Sequence, residues 1–234
     1  MYSKILCDET TELDLEKLEK LKNPFTKDTD TGTVVGGFGN FSSIDITFTN
    51  ISQTFFESSY VYLGYVLKNR TLTYGDLEVL NILHNLIIGV ELSLKANLSA
   101  YRQLISDEWM FDKFDIEHTH RLGKLIGKIR ECAKSAENGQ LQKGEFVWIN
   151  RRLKIIEKFV EFTEEKGLNF QSTRYPINSK DKAAQYIESD INIDLVILGE
   201  WIEILYKACE ELFYVYDMLD NARSSVDYDF YKEE

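Results

Sequence analysis

Residues 74–134 constrain this chain more than any other stretch. They open with YGDLEVLNILHNLIIGVELSLKANLSAYRQ and close with HTHRLGKLIGKIRECAK. Leu80, Leu83, Ile87, Val90, Leu94, Leu98, Tyr101 and Ile105 recur at alternating steps of three and four, which is one face of an α-helix. Ile82, Leu86, Ile88 and Leu92 add apolar surface off that face. A helix so apolar is predicted to be buried on more than one side, in the middle of a bundle. His84, Glu91 and Lys95 stand seven and four residues apart, so they share one row of it. A polar row on such a helix needs partners. The nearest source is the His118-Thr119-His120 run that opens the next periodic segment.

The rest of the chain fits around that pair. Residues 11–22 read as a short amphipathic helix with a Thr-x-x-Asp start, ending ahead of Pro24. From there to residue 50 the pattern changes. Gly32, Gly36, Gly37 and Gly39 break helices, and Ile44, Ile46 and Phe48 alternate with Asp45 and Thr47, which predicts short strands or a hairpin. Gly36-Gly37-Phe38-Gly39 has no Lys-Ser/Thr after it, so it reads as a turn and not as a phosphate loop. Ser52 is expected to cap a helix carrying Phe55, Phe56, Tyr60, Leu63 and Leu67. The link over 106–117 holds Trp109, Met110, Phe111 and Phe114 and is expected to pack down on the chain. Leu122, Leu125, Ile126 and Ile129 mark the next helix; Phe146, Ile149, Leu153, Ile156, Val160 and Thr163 mark another, ended by Gly167. Residues 168–192 are non-periodic. The last helix keeps three-four spacing from Leu195 to Leu219, with Asp194 as its cap and a stripe wide enough for a partner. The expected organisation is a mainly α, up-and-down helical bundle over 51–222, a small irregular or β-containing extension over 1–50, and an acidic disordered tail over 223–234.

Composition removes several function classes. A net charge of −12 argues against a general nucleic-acid coat, which draws on clustered cations. Two basic islands interrupt the acidity: Arg121, Lys124, Lys128, Arg130 and Lys134, then Arg151, Arg152, Lys154 and Lys158. Lys124, Lys128, Arg130, Lys134, Arg151 and Arg152 are the candidate RNA-binding residues; the competing reading is a solvated face carrying salt bridges. Cys7, Cys132 and Cys209 are odd in number and far apart, as for reduced structural thiols. With no run of eighteen apolar residues and no leader-like start, the expected place is the cytoplasm, off the membrane. No zinc spacing, HExxH or G-x-S-x-G elbow occurs, and neither a metal nor a cofactor is expected.

Three short segments carry a resemblance. Glu91-Leu92-Ser93-Leu94-Lys95-Ala96, Thr119-His120-Arg121-Leu122 and Arg174-Tyr175-Pro176-Ile177 resemble, in order, the E-L-x-L-K-A, G/T-H-x-L and R-Y-P segments of the HEPN family of prokaryotic helical domains. The resemblance implies a helical bundle that forms a homodimer or sits beside a protein partner, in a defence or toxin–antitoxin system. RNA and nucleotides are the further partners it implies. Active HEPN ribonucleases carry Arg-x(4–6)-His. Here the positions five to seven before His84 are Leu77, Glu78 and Val79; before His118 they are Phe111, Asp112 and Lys113; before His120, Lys113, Phe114 and Asp115. None is arginine, so the expectation is a protein that binds without standard nuclease activity. The alternative is a divergent, metal-independent ribonuclease using His120, Arg121 and Arg174. Glu91, with Lys95, the Thr119 helix start or Arg174 as partners, forms with His84, His120, Arg121 and Tyr175 either a polar pocket able to receive a phosphate or a buried clamp.

Overall fold

A computed structural model describes residues 44–69, 75–103, 119–137, 143–169, 172–173 and 191–230, with side chains of the last segment described to Tyr214. The expected helix over 11–22, the glycine-rich turn, the link over 106–117, His118 and the Arg174-Tyr175 segment lie outside the described residues. Five helices make up the rest: α1 (Ile44–Lys68), α2 (Gly75–Gln103), α3 (Leu122–Glu137), α4 (Lys143–Glu165) and α5 (Leu195–Phe230). The chain is a mainly α-helical bundle.

Helix α2 is the centre, packed against α1, α3 and α5, while α4 bridges α3 and α5. Its two apolar faces explain this. Leu83, Ile87, Val90, Leu94, Leu98 and Tyr101 are buried, and so are Ile82 and Leu86 on the adjoining face. By length and composition Glu78–Arg102 would also cross a membrane, but three helices cover it and it occupies the place of a core helix.

Two expectations at the start of the bundle are corrected. Residues 44–50 are the first turns of α1, not a strand, so the bundle begins before residue 51. The alternation of isoleucine with polar residues mimics a strand, but Phe48 continues the three-four series of Ser52, Phe56, Ser59, Leu63 and Val66 that faces the core. Ser52 therefore lies inside α1 and caps nothing. Its hydroxyl donates to the Gly89 carbonyl on α2 at 2.7 Å, and the Ser59 hydroxyl, bonded to Phe55 O at 2.9 Å, lies 3.3 Å from the Ile82 carbonyl. Gly89 permits this close approach: a Cβ there would stand 3.2 Å from the Phe56 ring. At the other end, α5 runs on through Phe230, so residues 223–230 are helical where a disordered tail was expected.

Pair positions give the helix directions. From Ser52–Gly89 to Ser59–Ile82, α1 advances as α2 retreats, so the two are antiparallel. Phe56–Tyr206 and Leu63–Gly199 make α1 and α5 antiparallel too. Asn97 and Tyr101 reach the carbonyls of Cys209 and Leu212 in the same order, so α2 and α5 run parallel. The surprise is α3. His120 meets Glu91, and Arg102 lies beside Cys132, so α3 runs parallel to α2. The strict up-and-down order is broken once, between these two helices.

The helix ends follow local chemistry. Asp194 caps α5, its carboxylate accepting from the amides of Val196 at 2.9 Å and Ile197 at 3.2 Å. Gly167 ends α4 at φ 67°, with Leu168 N–H donating to Thr163 O and Gly167 N–H to Glu164 O, the paired bonds of a Schellman turn. Leu168 itself is buried, which fixes the exit of the chain.

Cys132 and Cys209 are free thiols. Burial pushes the Cys209 thiol up to about 12, with a Ser93 hydrogen bond opposing. Because the thiolate is the nucleophile, Cys209 is expected to resist iodoacetamide at neutral pH until the chain unfolds. Mass spectrometry of native and urea-treated protein checks this; rapid native labelling at Cys209 would contradict its burial.

Candidate functional site

The polar row on α2 is resolved into two fasteners about 10 Å apart along the helix. In the first, Glu91 is buried and its Oε1 accepts from Lys95 Nζ at 2.8 Å, one turn on. The same oxygen lies 3.0 Å from His120 Nδ1, and Oε2 lies 3.3 Å away. A carboxylate offers only acceptors, so His120 donates through Nδ1–H, which fixes the ring's orientation. His120 is half exposed while Glu91 and Lys95 are each 6% exposed, so the charged pair is inside and the imidazole lies across its mouth. Arg121 follows as the cap of α3, its carbonyl accepting from Lys124 N–H at 3.0 Å and Leu125 N–H at 3.2 Å. Its side chain is exposed, and Thr119 is buried. The contact with the Glu91 carboxylate is thus made by the ring one residue ahead of the α3 cap.

In the second fastener, His84 Nδ1 lies 3.0 Å from Thr173 Oγ1. The Thr173 hydroxyl spends its proton on the Asn169 carbonyl at 2.8 Å, so His84 is the donor between them. Asn169 and Ser172 close the turn by exchanging bonds between side chains and backbone. His84 therefore ties the exit of α4 to α2, and Glu91 ties the entry of α3. The structure does not bring His84 into contact with the Glu91 group; it holds Lys95, Glu91 and His120 together, with Arg121 beside them.

The candidate RNA-binding residues divide. Arg130 donates to Glu157 at 3.0 Å and to Asn150 Oδ1 at 3.2 Å, joining α3 to α4. Arg152 pairs with Glu211 at 2.6 Å and lies 3.6 Å over the Trp148 ring, joining α4 to α5. Both are engaged between helices. Lys124, Lys134 and Arg151 are exposed and Lys128 is half-buried.

One feature has no counterpart in the sequence reading. A hollow of about 230 Å³ lies where α1, α2 and α5 meet, lined by Thr49, Ser52, Gln53, Phe56, Ser93, Tyr206, Cys209, Glu210 and Phe213. The small hydroxyl residues Ser52 and Ser93 on otherwise apolar faces are the one sequence signal for it. Among the described residues, no three His, Cys, Asp or Glu side chains converge as metal ligands. Compared with protein-family models, curated proteins and solved structures, the chain matches none.

Proposed function

We propose that this chain is a HEPN-like helical protein that acts by binding rather than by catalysis, with a second copy of itself as the primary partner. A prokaryotic defence or toxin–antitoxin role is the setting the family resemblance implies. The observation that carries the proposal is the outer face of α1. Tyr60, Val61, Tyr62, Tyr65 and Leu67 are all exposed, and residues 58–67 contain no charge over about three turns. Val61 is the most exposed of them at 70%, Tyr65 lies one turn on, and Tyr62 contacts Tyr65 at 6.3 Å between centroids. Monomers rarely leave such a surface in water, and tyrosine-rich patches are favoured in interfaces. In a chain of net charge −12, an uncharged stripe is also a place where two copies meet without repulsion.

Light scattering on a sizing column tests it. The expected mass at micromolar concentration is twice 27.3 kDa. Val61→Glu with Tyr65→Glu is expected to weaken association by roughly 100-fold while leaving the helical spectrum unchanged, because both residues face outward. A monomer at all concentrations would end this reading.

A second reading, a divergent metal-independent ribonuclease on His120, Arg121 and Arg174, draws support from one contact. Glu91 orients the His120 ring through Nδ1, as acid–base catalysis requires. Against it stands the missing Arg-x(4–6)-His pair, without which no recognised group stabilises the charge on a pentacoordinate phosphate. The expected result is no cleavage of single-stranded RNA in the presence of chelator. Cleavage abolished by His120→Ala would establish the second reading instead. Any RNA binding without cleavage is expected to depend on Lys124, Lys128 and Arg151 and to weaken steeply with salt.

A further inference from the structure

The hollow between α1, α2 and α5 has a composition of its own, independent of the association surface. Among the described residues its lining holds no lysine, arginine or histidine. It offers acceptors instead: the hydroxyl oxygens of Ser52 and Ser93 and the carboxylate of Glu210. Glu210 has no ion-pair partner among the described residues, since Lys207 reaches Glu211. Phe56 and Phe213 supply aromatic walls, and Tyr206 meets Phe56 edge-on at 5.6 Å. Glu57 adds a second carboxylate near the Tyr206 hydroxyl, whose proton is held more tightly by burial and by Glu210 and Glu57. At about 230 Å³ the space is below the roughly 300–1,000 Å³ of pockets that enclose drug-sized ligands, so it takes a group of side-chain size and not a nucleotide.

We infer that this hollow is a binding site for a primary alkylammonium group, its stem against Phe56 and Phe213 and its charged head toward Glu210. An ammonium has three donors and no acceptor, which matches a lining of hydroxyl and carboxylate oxygens. Aromatic faces add cation–π attraction where the head is partly desolvated. An anion finds no cation among the described residues of the lining. The same head group occurs on a free polyamine and on a lysine side chain, and these are separable.

The experiment is calorimetric titration of the full chain at low salt with cadaverine, with Nα-acetyl-lysine methylamide and with n-pentanol. Saturable binding of at least one ammonium probe, and none of the alcohol, is expected. Tighter binding of cadaverine assigns the site to a free polyamine, and tighter binding of the lysine amide assigns it to a partner's side chain. Glu210→Gln is expected to lower the affinity at least ten-fold, whereas Glu200→Gln, an exposed carboxylate of α5 outside the hollow, leaves it unchanged. Should Glu210→Gln fail to give a native circular dichroism spectrum, Glu57→Gln tests the second carboxylate near Tyr206. Absence of saturable binding overturns the inference. So does an equal loss in the rim and Glu200 variants, which would reduce the effect to attraction by the overall negative charge.

Discussion

Glu91→Ala is expected to lower the unfolding free energy by about 3–5 kcal/mol, the range found when one member of a buried ion pair is removed. The reason lies in what remains. Lys95 keeps its charge at 6% side-chain exposure and loses the carboxylate 2.8 Å away, while His120 loses the acceptor that holds its ring. Replacing both charges, as in Glu91→Leu with Lys95→Met, is expected to recover most of the loss, because an apolar pair of similar volume removes the desolvation penalty together with the attraction. His120→Ala acts at a half-exposed ring and is expected to stay within about 1 kcal/mol. Urea denaturation with an unchanged m-value measures all three. If the losses from Glu91→Ala and Lys95→Ala simply add in the double variant, the two do not share a buried interaction and the fastener is misassigned.

The Glu91 group was legible in the sequence because helical spacing alone ruled on it. A carboxylate at 91 and an ammonium at 95 meet on any α-helix, and the next helix start was one of the partners, beside Arg174, that its burial called for. The same local logic found the cap at Asp194 and the terminus at Gly167, where the bonding partners lie within a few residues. His84 was placed correctly on the row but not with its partner. Thr173 stands 89 residues away, in a stretch whose lack of periodicity gives no register.

What the sequence hid depends on contacts between distant elements. The alternation at Ile44, Ile46 and Phe48 satisfies a strand locally, and only the core under α1 shows which period is used. Ser52 has the chemistry of a cap, yet the close contact at Gly89 turns its hydroxyl to another helix. Helix direction has no signature in hydrophobic spacing at all, since a stripe reads the same both ways. That is why the parallel run of α2 and α3 emerged only from the Glu91–His120 and Arg102–Cys132 contacts. The hollow beside Glu210 is hidden more deeply, because three helices create it and none of them carries it alone.

Tyr101→Ala is the second change expected to act strongly, at about 3–5 kcal/mol. Tyr101 is fully buried near the end of α2, and its hydroxyl donates to the Leu212 carbonyl at 3.1 Å. Truncation opens a cavity where α2 meets α5 and leaves that carbonyl without this donor. Tyr101→Phe keeps the ring and removes only the hydrogen bond, so its cost is expected near 0.5–1.5 kcal/mol at neutral pH, i.e. about the net worth of one such bond. The two variants separate packing from polarity at one position. They also differ from the native chain in alkali. Burial first, and the Glu145 carboxylate second, raise the Tyr101 phenol above its ordinary 10.0. The folded chain then keeps a proton that the unfolded chain releases, so the stabilisation is complete below that ordinary value and declines as pH rises beyond it. Tyr101→Phe has no such proton to lose. Its disadvantage against the native chain should therefore shrink between about pH 8 and about pH 11, with Tyr206, also raised by burial, cancelling because both proteins contain it. Urea midpoints at the two pH values decide the matter. A disadvantage that stays constant would place the phenol in contact with water and take its bond to Leu212 out of the buried contact between α2 and α5.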